Sequence, residues 1–303
     1  MNSSRLRGAI QATVGMLLVG SLVAVNASIN DYPIYTAHAI RYALAALVLC
    51  AILAAGKRQP VKLTRRDLLL LFALAFGGLA VFNVAITEAT RFASSALVGT
   101  IVGSGPIVMA ILGPMVARTG RPSLHVVVAA IAVTIGTGIA TGLGGGDPIG
   151  ALLAVVALAG EVSFSLFAVP ILPKLGALRV SAYTAVISVP LLLVTGFAVD
   201  GTAMFRPPDP GEFGAIVYLG LVVTAGGFLL WYDSLPRLGA DRAGLFAGIM
   251  PIGAIGTMML LGQGVPNPAE LFGATLVVGG ILYGLRRQAT RPETRVEIAT
   301  SSA

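Results

Sequence analysis

The sequence predicts an all-α polytopic membrane protein whose ten transmembrane helices form two inverted repeats of five helices each. Hydrophobic residues make up 56% of the 303 residues and charged residues only 11%, about half of the charged fraction that is usual in soluble proteins. The chain divides into ten apolar runs. Each run is close in length to a helix of about 20 residues, which is long enough to cross a bilayer. A motif of two glycines and a proline occurs with the same spacing in each half.

The apolar runs are separated by short polar breaks that contain Gly, Pro, Asn and charged residues. Arg5 and Arg7 precede the first run, as in a signal peptide, but this run is longer than a signal h-region and many more follow, so we expect it to be retained. The polar segment 289–303 is predicted to be a disordered cytoplasmic tail. The runs lie near residues 8–29, 33–55, 67–87, 94–117, 124–143, 148–169, 178–199, 212–233, 241–262 and 269–287.

Basic residues mark one side of the predicted membrane protein. When the breaks are assigned alternately to two sides, all 20 Lys and Arg residues except Arg41, Arg91 and Arg206 fall on the side of the N-terminus. Lys and Arg are enriched in cytoplasmic loops, so the pattern predicts that both termini lie in the cytoplasm. We expect the chain to lie in the bacterial inner (plasma) membrane as a multi-pass protein.

The repeated motif is G-x-x-x-G-x-x-P, read at Gly99–Pro106 and again at Gly244–Pro251. Glycines four residues apart allow close helix packing, and a proline loosens the helix, so both segments are predicted packing and hinge sites. Because five helices is an odd number, residues 148–288 must enter the membrane from the side opposite to residues 1–147. The six motif residues are Gly99, Gly103, Pro106, Gly244, Gly248 and Pro251.

Segments around these motifs resemble the two halves of the drug/metabolite transporter superfamily, EamA type. The resemblance lies in Ala93–Leu97 with Pro106, in Gly239–Ala243 with Pro251, and in the pair Arg41-Tyr42. It covers nearly the whole chain and is greatest to the YddG-type exporters of amino acids, including aromatic ones. It implies a central cavity surrounded by helices one, three, four, six, eight and nine. An acidic residue that the family often has after the fourth and ninth helices is absent here.

Two charged residues inside apolar runs are the first candidates for a site. Glu161 is predicted to bind a substrate ammonium or to take up a proton, because a carboxylate in mid-membrane costs about 2.5–3.5 kcal/mol and usually faces a cavity. The alternative is a structural bond to Arg41 or Ser21. Arg41, with His38 one turn before it, is a candidate partner for a substrate carboxylate, or else a snorkelling residue that ties down outer loops.

Aromatic and small polar residues on other helices are candidates for the cavity wall. For each of them, packing between helices is the alternative, and Trp231 is also a candidate interfacial anchor. Ser and Thr side chains in membrane helices often bond to their own backbone. The candidates are Ser21, Phe82, Asn83, Thr100, Ser104, Ser163, Phe164, Phe228, Trp231 and Phe246.

The sequence lacks the motifs that are typical of nucleotide-driven pumps, metalloproteases and metal-binding proteins. A G-x-x-x-x-G-K-[ST] loop, an H-E-x-x-H motif and a Cys/His cluster are all missing, so we expect no cofactor, no metal and no enzymatic activity. We predict a secondary transporter that exports small metabolites, amino acids first, by alternating access. Alternative substrates are a drug-like cation, a nucleotide precursor and a lipid-linked sugar. The alternative class of protein is a channel. We expect a monomer in the lipid bilayer, with protons as a candidate coupling ion and no nucleic acid as partner.

Overall fold

The computed structural model describes residues 3–26, 29, 31–56, 61–142, 144–262 and 264–286, and these are helical with short connections. Ten helices are long and apolar enough to cross a membrane, which confirms the predicted fold class. The predicted tail, 289–303, lies outside the described residues. The helices are α1 (Ser3–Asn26), α2 (Ile34–Ala55), α3 (Arg65–Phe92), α4 (Ser95–Val116), α5 (Leu124–Thr141), α6 (Pro148–Leu166), α7 (Leu172–Val199), α8 (Pro210–Leu238), α9 (Ala240–Leu260) and α10 (Pro268–Leu285).

The helix boundaries follow local signals in the sequence. Capping boxes begin α3 at Thr64, α8 at Asp209 and α10 at Asn267, where each side chain accepts a bond from the backbone three residues later. Four boundaries differ from the prediction by five residues or more, because α1 begins at Ser3 and α3 continues to Phe92, and α7 and α8 are also longer than predicted. Helix α7 begins at Leu172 and bends at Gly176, whose φ of 72° is left-handed. Helix α8 continues to Leu238, so Trp231 lies well inside the helix.

Helices at equivalent places in the two halves share irregular segments. Helix α3 contains a π-helical segment at Phe76–Val81, and α8 contains one at Leu219–Gly226. Helix α4 is interrupted by a turn at Gly103 and Ser104, and α9 changes to a 3₁₀-helix at Phe246–Ile249. Both interruptions come directly before the motif prolines, Pro106 and Pro251, where a backbone N–H is missing.

The helix pairs in contact are the same when the two halves are exchanged. Helices α5 and α10 pack along each other, as do α2 and α7, and α4 and α9. Helix α1 packs on α8 and α9, and correspondingly α6 packs on α3 and α4. Each of these pairs connects a helix of one half with its equivalent or with the corresponding neighbour, as a two-fold relationship between the halves requires.

Contacts between equivalent helices also fix their relative direction. In the α5–α10 pair, Gly136 lies against Gly273, and Gly280 lies against Val133. Residue numbers therefore rise on one helix as they fall on the other, so the two helices are antiparallel. We name the end of the bundle that holds the N-terminus and the α4–α5 loop the basic face, and the end that holds the α5–α6 loop the opposite face.

Candidate functional site

Arg41 lies buried in the first half of α2 with most of its donors unused. It is 5% exposed, its Nη2 atom donates to the Tyr42 hydroxyl at 2.8 Å, and its guanidinium carbon lies 4.6 Å from the Tyr42 ring centroid. The Nε and Nη1 atoms are buried without hydrogen-bond partners. No ion pair among the described residues includes Arg41. A buried guanidinium in this state favours an anion close to it.

Asn83 joins the same polar group from α3. Its Nδ2 atom donates to the Tyr42 hydroxyl at 3.2 Å and to the Leu79 carbonyl at 2.6 Å. Asn83 is 4% exposed, and His38, one turn before Arg41 on α2, is also buried at 4%. The structure therefore brings Asn83 and Arg41 together through Tyr42, a residue that the list of cavity candidates did not include.

A cluster of aromatic rings connects α2, α6 and α8. The Phe228 ring lies 6.2 Å from Tyr42, 4.8 Å from Phe164 and 6.1 Å from Tyr232, between ring centroids. The Tyr232 hydroxyl donates to the Phe164 carbonyl at 3.3 Å. Rings at these distances attract each other, and the uncovered parts of the rings favour contact with aromatic or apolar groups. We call Tyr42, Phe164, Phe228 and Tyr232 the aromatic cluster.

Glu161, the other charged candidate residue, lies one turn before Phe164 of the aromatic cluster on α6. Its side chain is half-buried, and its Oε2 atom is fully buried without a hydrogen-bond partner. The Oε2 atom faces Gly105 of α4, 3.7 Å from where a Cβ on that glycine would lie. No ion pair among the described residues includes Glu161. The alternative of a structural bond to Arg41 or Ser21 is therefore wrong for this conformation.

The small polar candidates mostly bond within or between helices. Ser21 donates to the Leu18 carbonyl at 2.6 Å and shares a bond of 2.9 Å with Tyr218. Ser104 and Ser163 donate to the carbonyls three residues before them. Thr100 lies 3.2 Å from Thr141, so its hydroxyl faces α5. These four hydroxyls are engaged in the structure, in line with the backbone-bonding alternative.

The remaining aromatic candidates are packed between helices. Trp231 is 5% exposed and donates from Nε1 to Ser165 at 3.1 Å, which does not fit an interfacial anchor. Phe246 is 2% exposed in the 3₁₀ segment of α9. Phe82 lies against Gly160 of α6. These contacts hold α3, α6, α8 and α9 around the aromatic cluster.

The motif glycines are contact points of α4 and α9. A Cβ on Gly99 would lie 3.4 Å from the Thr141 side chain, and Gly103 faces Thr137, both on α5. Gly244 faces Met109 of α4, while Gly248 faces Val133 of α5 and Val277 of α10. Both helices thus approach their neighbours closely at the motif, next to their interrupted turns.

Helices α4 and α9 are packed together at one end of the bundle only. Near the basic face, Ala240–Leu245 packs against Gly105–Val116. The equivalent segments at the opposite face, Ser95–Val102 and Met250–Leu260, make no comparable contact, and Gly253 is the one buried residue among Met250–Leu260. The space between α4 and α9 is therefore closed toward the basic face and wider toward the opposite face.

Sequence reasoning missed several residues that complete the site. Tyr42 and Tyr218 are aromatic residues whose hydroxyls bond to the candidate residues Arg41 and Ser21. Ser165 binds Trp231. Their signal was weak because single aromatic and serine residues are common in membrane helices. No group of three or more His, Cys, Asp or Glu residues is placed to hold a metal ion in the described part of the chain.

The helical architecture defines a polytopic membrane protein, and two charged residues, Arg41 and Glu161, lie inside its helices. The EamA-like transporter family matches residues 6–142 and again residues 148–285. Since these matches cover most of the chain, the protein belongs to the EamA-like transporter family.

Similar proteins agree with this assignment. The uncharacterized transporter YetK of Bacillus subtilis (strain 168) is 23% identical over 282 residues, which cover 90% of this chain and 84% of that protein. A probable terminal-alkyne amino-acid exporter of Streptantibioticus cattleyicolor is 24% identical over 289 residues, 90% of this chain and 93% of the exporter. A crystal structure that is 19% identical superposes with a TM-score of 0.75 over 94% of this chain and 97% of its own, which shows a shared fold.

Proposed function

We propose that this protein is a secondary transporter that exports small metabolites, with amino acids, including aromatic ones, as its substrates. It has no enzymatic activity in this proposal. Membership of a transporter family supports the class. The relative named as a probable terminal-alkyne amino-acid exporter supports both the substrate class and the direction of transport.

The observation that carries the amino-acid assignment is a pair of charged residues, Arg41 and Glu161, neither of which has an ion-pair partner among the described residues. Arg41 has two free buried donors, and Glu161 has a free buried Oε2 atom. A zwitterion supplies a carboxylate for the guanidinium and an ammonium for the carboxylate, so one ligand neutralises both groups. The rings of the aromatic cluster offer contacts to an apolar or aromatic side chain.

Alternating access follows from the symmetry of the fold in this proposal. The halves, residues 1–147 and 148–288, exchange conformations, so the packing of α4 on α9 moves from the basic face to the opposite face. The close packing of α4 on α9 at only one face supports alternating access, because a channel open at both faces would not need such packing. The interruptions before Pro106 and Pro251 are where α4 and α9 bend.

We further propose that the basic face is cytoplasmic and that the protein lies in the bacterial inner membrane. The excess of Lys and Arg on that face supports this orientation. Labelling of single cysteines tests it in a Cys50→Ser background. An impermeant maleimide should label Gly145→Cys in intact cells, and Thr119→Cys only after permeabilisation. The reverse pattern would contradict the orientation.

Counterflow in proteoliposomes tests the transport activity itself. Vesicles loaded with an unlabelled amino acid should accumulate the same amino acid, radiolabelled, above its equilibrium level, which a carrier does and a channel does not. The panel should include aromatic, aliphatic and charged amino acids, together with an organic cation, a nucleoside and a sugar phosphate. Absence of counterflow with every amino acid would refute the proposed substrate class, and counterflow with one of the other compounds would replace it.

A further inference from the structure

A groove lies between α4 and α6 on the outer surface of the bundle. It encloses about 370 Å³ and is lined by Val108 and Leu112 of α4 and by residues of α6 that include Val155 and Ala159. Four of the lining residues are exposed: Ala159, Leu112 at 37%, Val155 at 50% and Phe167 at 37%. The groove is therefore open on the side that faces the hydrocarbon of the bilayer.

The chemistry of the lining restricts what can fill the groove. All but one of the lining side chains are hydrocarbon. The exception is Ser163, whose hydroxyl already donates to the Gly160 carbonyl at 2.7 Å. Water and polar ligands would thus find almost no hydrogen-bond partners there, whereas a hydrocarbon chain needs none.

The depth of the groove in the membrane indicates that such a hydrocarbon chain comes from a bilayer lipid. The lining residues of α6 extend from the middle of the helix to its end at the basic face. This is the depth at which the acyl chains of the basic-side leaflet lie. If the groove were empty, the atoms that line it would have no van der Waals partners on that side. Acyl chains of adjacent lipids will therefore occupy it.

The equivalent helices of the other half, α9 and α1, pack closely at the place where α4 and α6 leave the groove. With Pro251 aligned to Pro106 and Gly8 to Gly150, the positions equivalent to Val108 and Ala159 are Gly253 and Leu17. There the helices are closed, since a Cβ on Gly253 would lie only 2.9 Å from the Cα of Leu17. In the first half, Gly105–Val116 of α4 contacts both α6 and α9, and its residues Val108 and Leu112 form one wall of the groove beside α6.

We propose that an acyl chain of a bilayer phospholipid binds in the groove between α4 and α6 in this conformation. The chain fills the apolar space that α4 and α6 leave between them in the basic-side half of the membrane. This inference concerns the lipid and holds for any transported substrate.

Photo-crosslinking of lipids to the full-length protein tests the inference. The protein is placed in nanodiscs of phosphatidylethanolamine and phosphatidylglycerol that contain a phosphatidylcholine with a diazirine in one acyl chain. After irradiation, mass spectrometry of peptides locates the labels. We expect Leu112, Val155 and neighbouring groove residues to be labelled several-fold more than Val186 and Leu193 of α7, which are exposed to a similar degree at 46% and 42%.

A matched pair of variants makes the experiment specific. Ala159→Phe fills the groove and should reduce its labelling several-fold, whereas Ala198→Phe, also at an exposed alanine, should leave it unchanged. Val155→Phe serves as a second filling variant if Ala159→Phe does not fold. Equal labelling of groove and α7 residues, or an unchanged label in both filling variants, would overturn the proposal. Displacement of the label by excess amino acid would also overturn it and assign the groove to substrate.

Discussion

Gly244 of α9 lies directly against Met109 of α4 near the basic face, where a Cβ on the glycine would come within 3.0 Å of the methionine Cγ. This contact is part of the segment that closes the space between the two helices at that face. Since the equivalent contact at the opposite face is missing, the Gly244–Met109 pair is a direct marker of the conformation.

The first prediction concerns this contact. Gly244→Leu should separate α9 from α4 and admit solvent from the basic face, because the added side chain has no space. We expect Ala110→Cys, in a Cys50→Ser background, to react faster with a water-soluble maleimide in the leucine variant, since Ala110 is fully buried. Gly279→Leu is the control, because a Cβ there meets nothing within 4 Å. Equal reaction rates in the two leucine variants would show that the contact does not close this face.

The second prediction concerns the motif glycines as hinges. Gly248→Leu and Gly103→Leu should lower the transport rate more than the amount of folded protein in the membrane. A leucine at position 248 would press on Val133 of α5 and block the movement of α9. A leucine at position 103 would press on Thr137 of α5 and block the movement of α4. Gly256→Leu on the same helix α9 has free space and should transport normally. Normal transport by both motif variants would refute the hinge assignment and leave the ten-helix topology unaffected.

The third prediction concerns Glu161. Glu161→Gln removes the negative charge and the ability to exchange a proton with little change in shape. Since the Oε2 atom has no partner to lose in the structure, folding should be preserved while transport falls about tenfold, or about 1.4 kcal/mol. If Glu161 also carries a coupling proton, the residual transport should not vary between about pH 5 and pH 8. Transport equal to wild type across that range would exclude Glu161 from the mechanism.

The fourth prediction concerns Arg41. Arg41→Met should raise KM for amino acids about tenfold or more, because the substrate carboxylate loses its partner. The thermal stability of the variant should be unchanged or higher, since two unsatisfied buried donors are removed with the charge.

Arg41→Lys is the matched control for charge. It keeps the positive charge but not the planar pair of donors, so it should give an intermediate KM. A lower unfolding temperature in Arg41→Met together with unchanged KM would identify Arg41 as a structural residue instead.

The sequence was sufficient for the number and approximate limits of the membrane helices. Each of the runs near 8–29 and 94–117, for example, corresponds to one helix, α1 and α4, because hydrocarbon length and apolar composition are properties of a single segment. The boundary of α8 was placed short, at residue 233 instead of Leu238. The reason is that Asp233 and Arg237 resemble a helix end, although their ion pair at 2.9 Å allows the helix to continue.

The candidate site was less accessible to sequence reasoning. Glu161 and Arg41 stood out because a charge in an apolar run is costly. Thr100 and Ser21 have the same local sequence features as a cavity residue, yet the fold engages them with Thr141 and Tyr218. Tyr42 carries no local signal of a role in the site, and it became part of the site only through its contacts with Arg41 and Asn83.

The sequence by itself determined that this is a ten-helix membrane protein with a repeated glycine–proline motif and a basic side, since hydropathy, spacing and charge are read along the chain. Only the tertiary structure decided that Glu161 and Arg41 have no ionic partners within the described part of the chain, and that α4 packs on α9 toward the basic face. Those facts depend on which helix faces which, and this is set by the packing of all ten helices together.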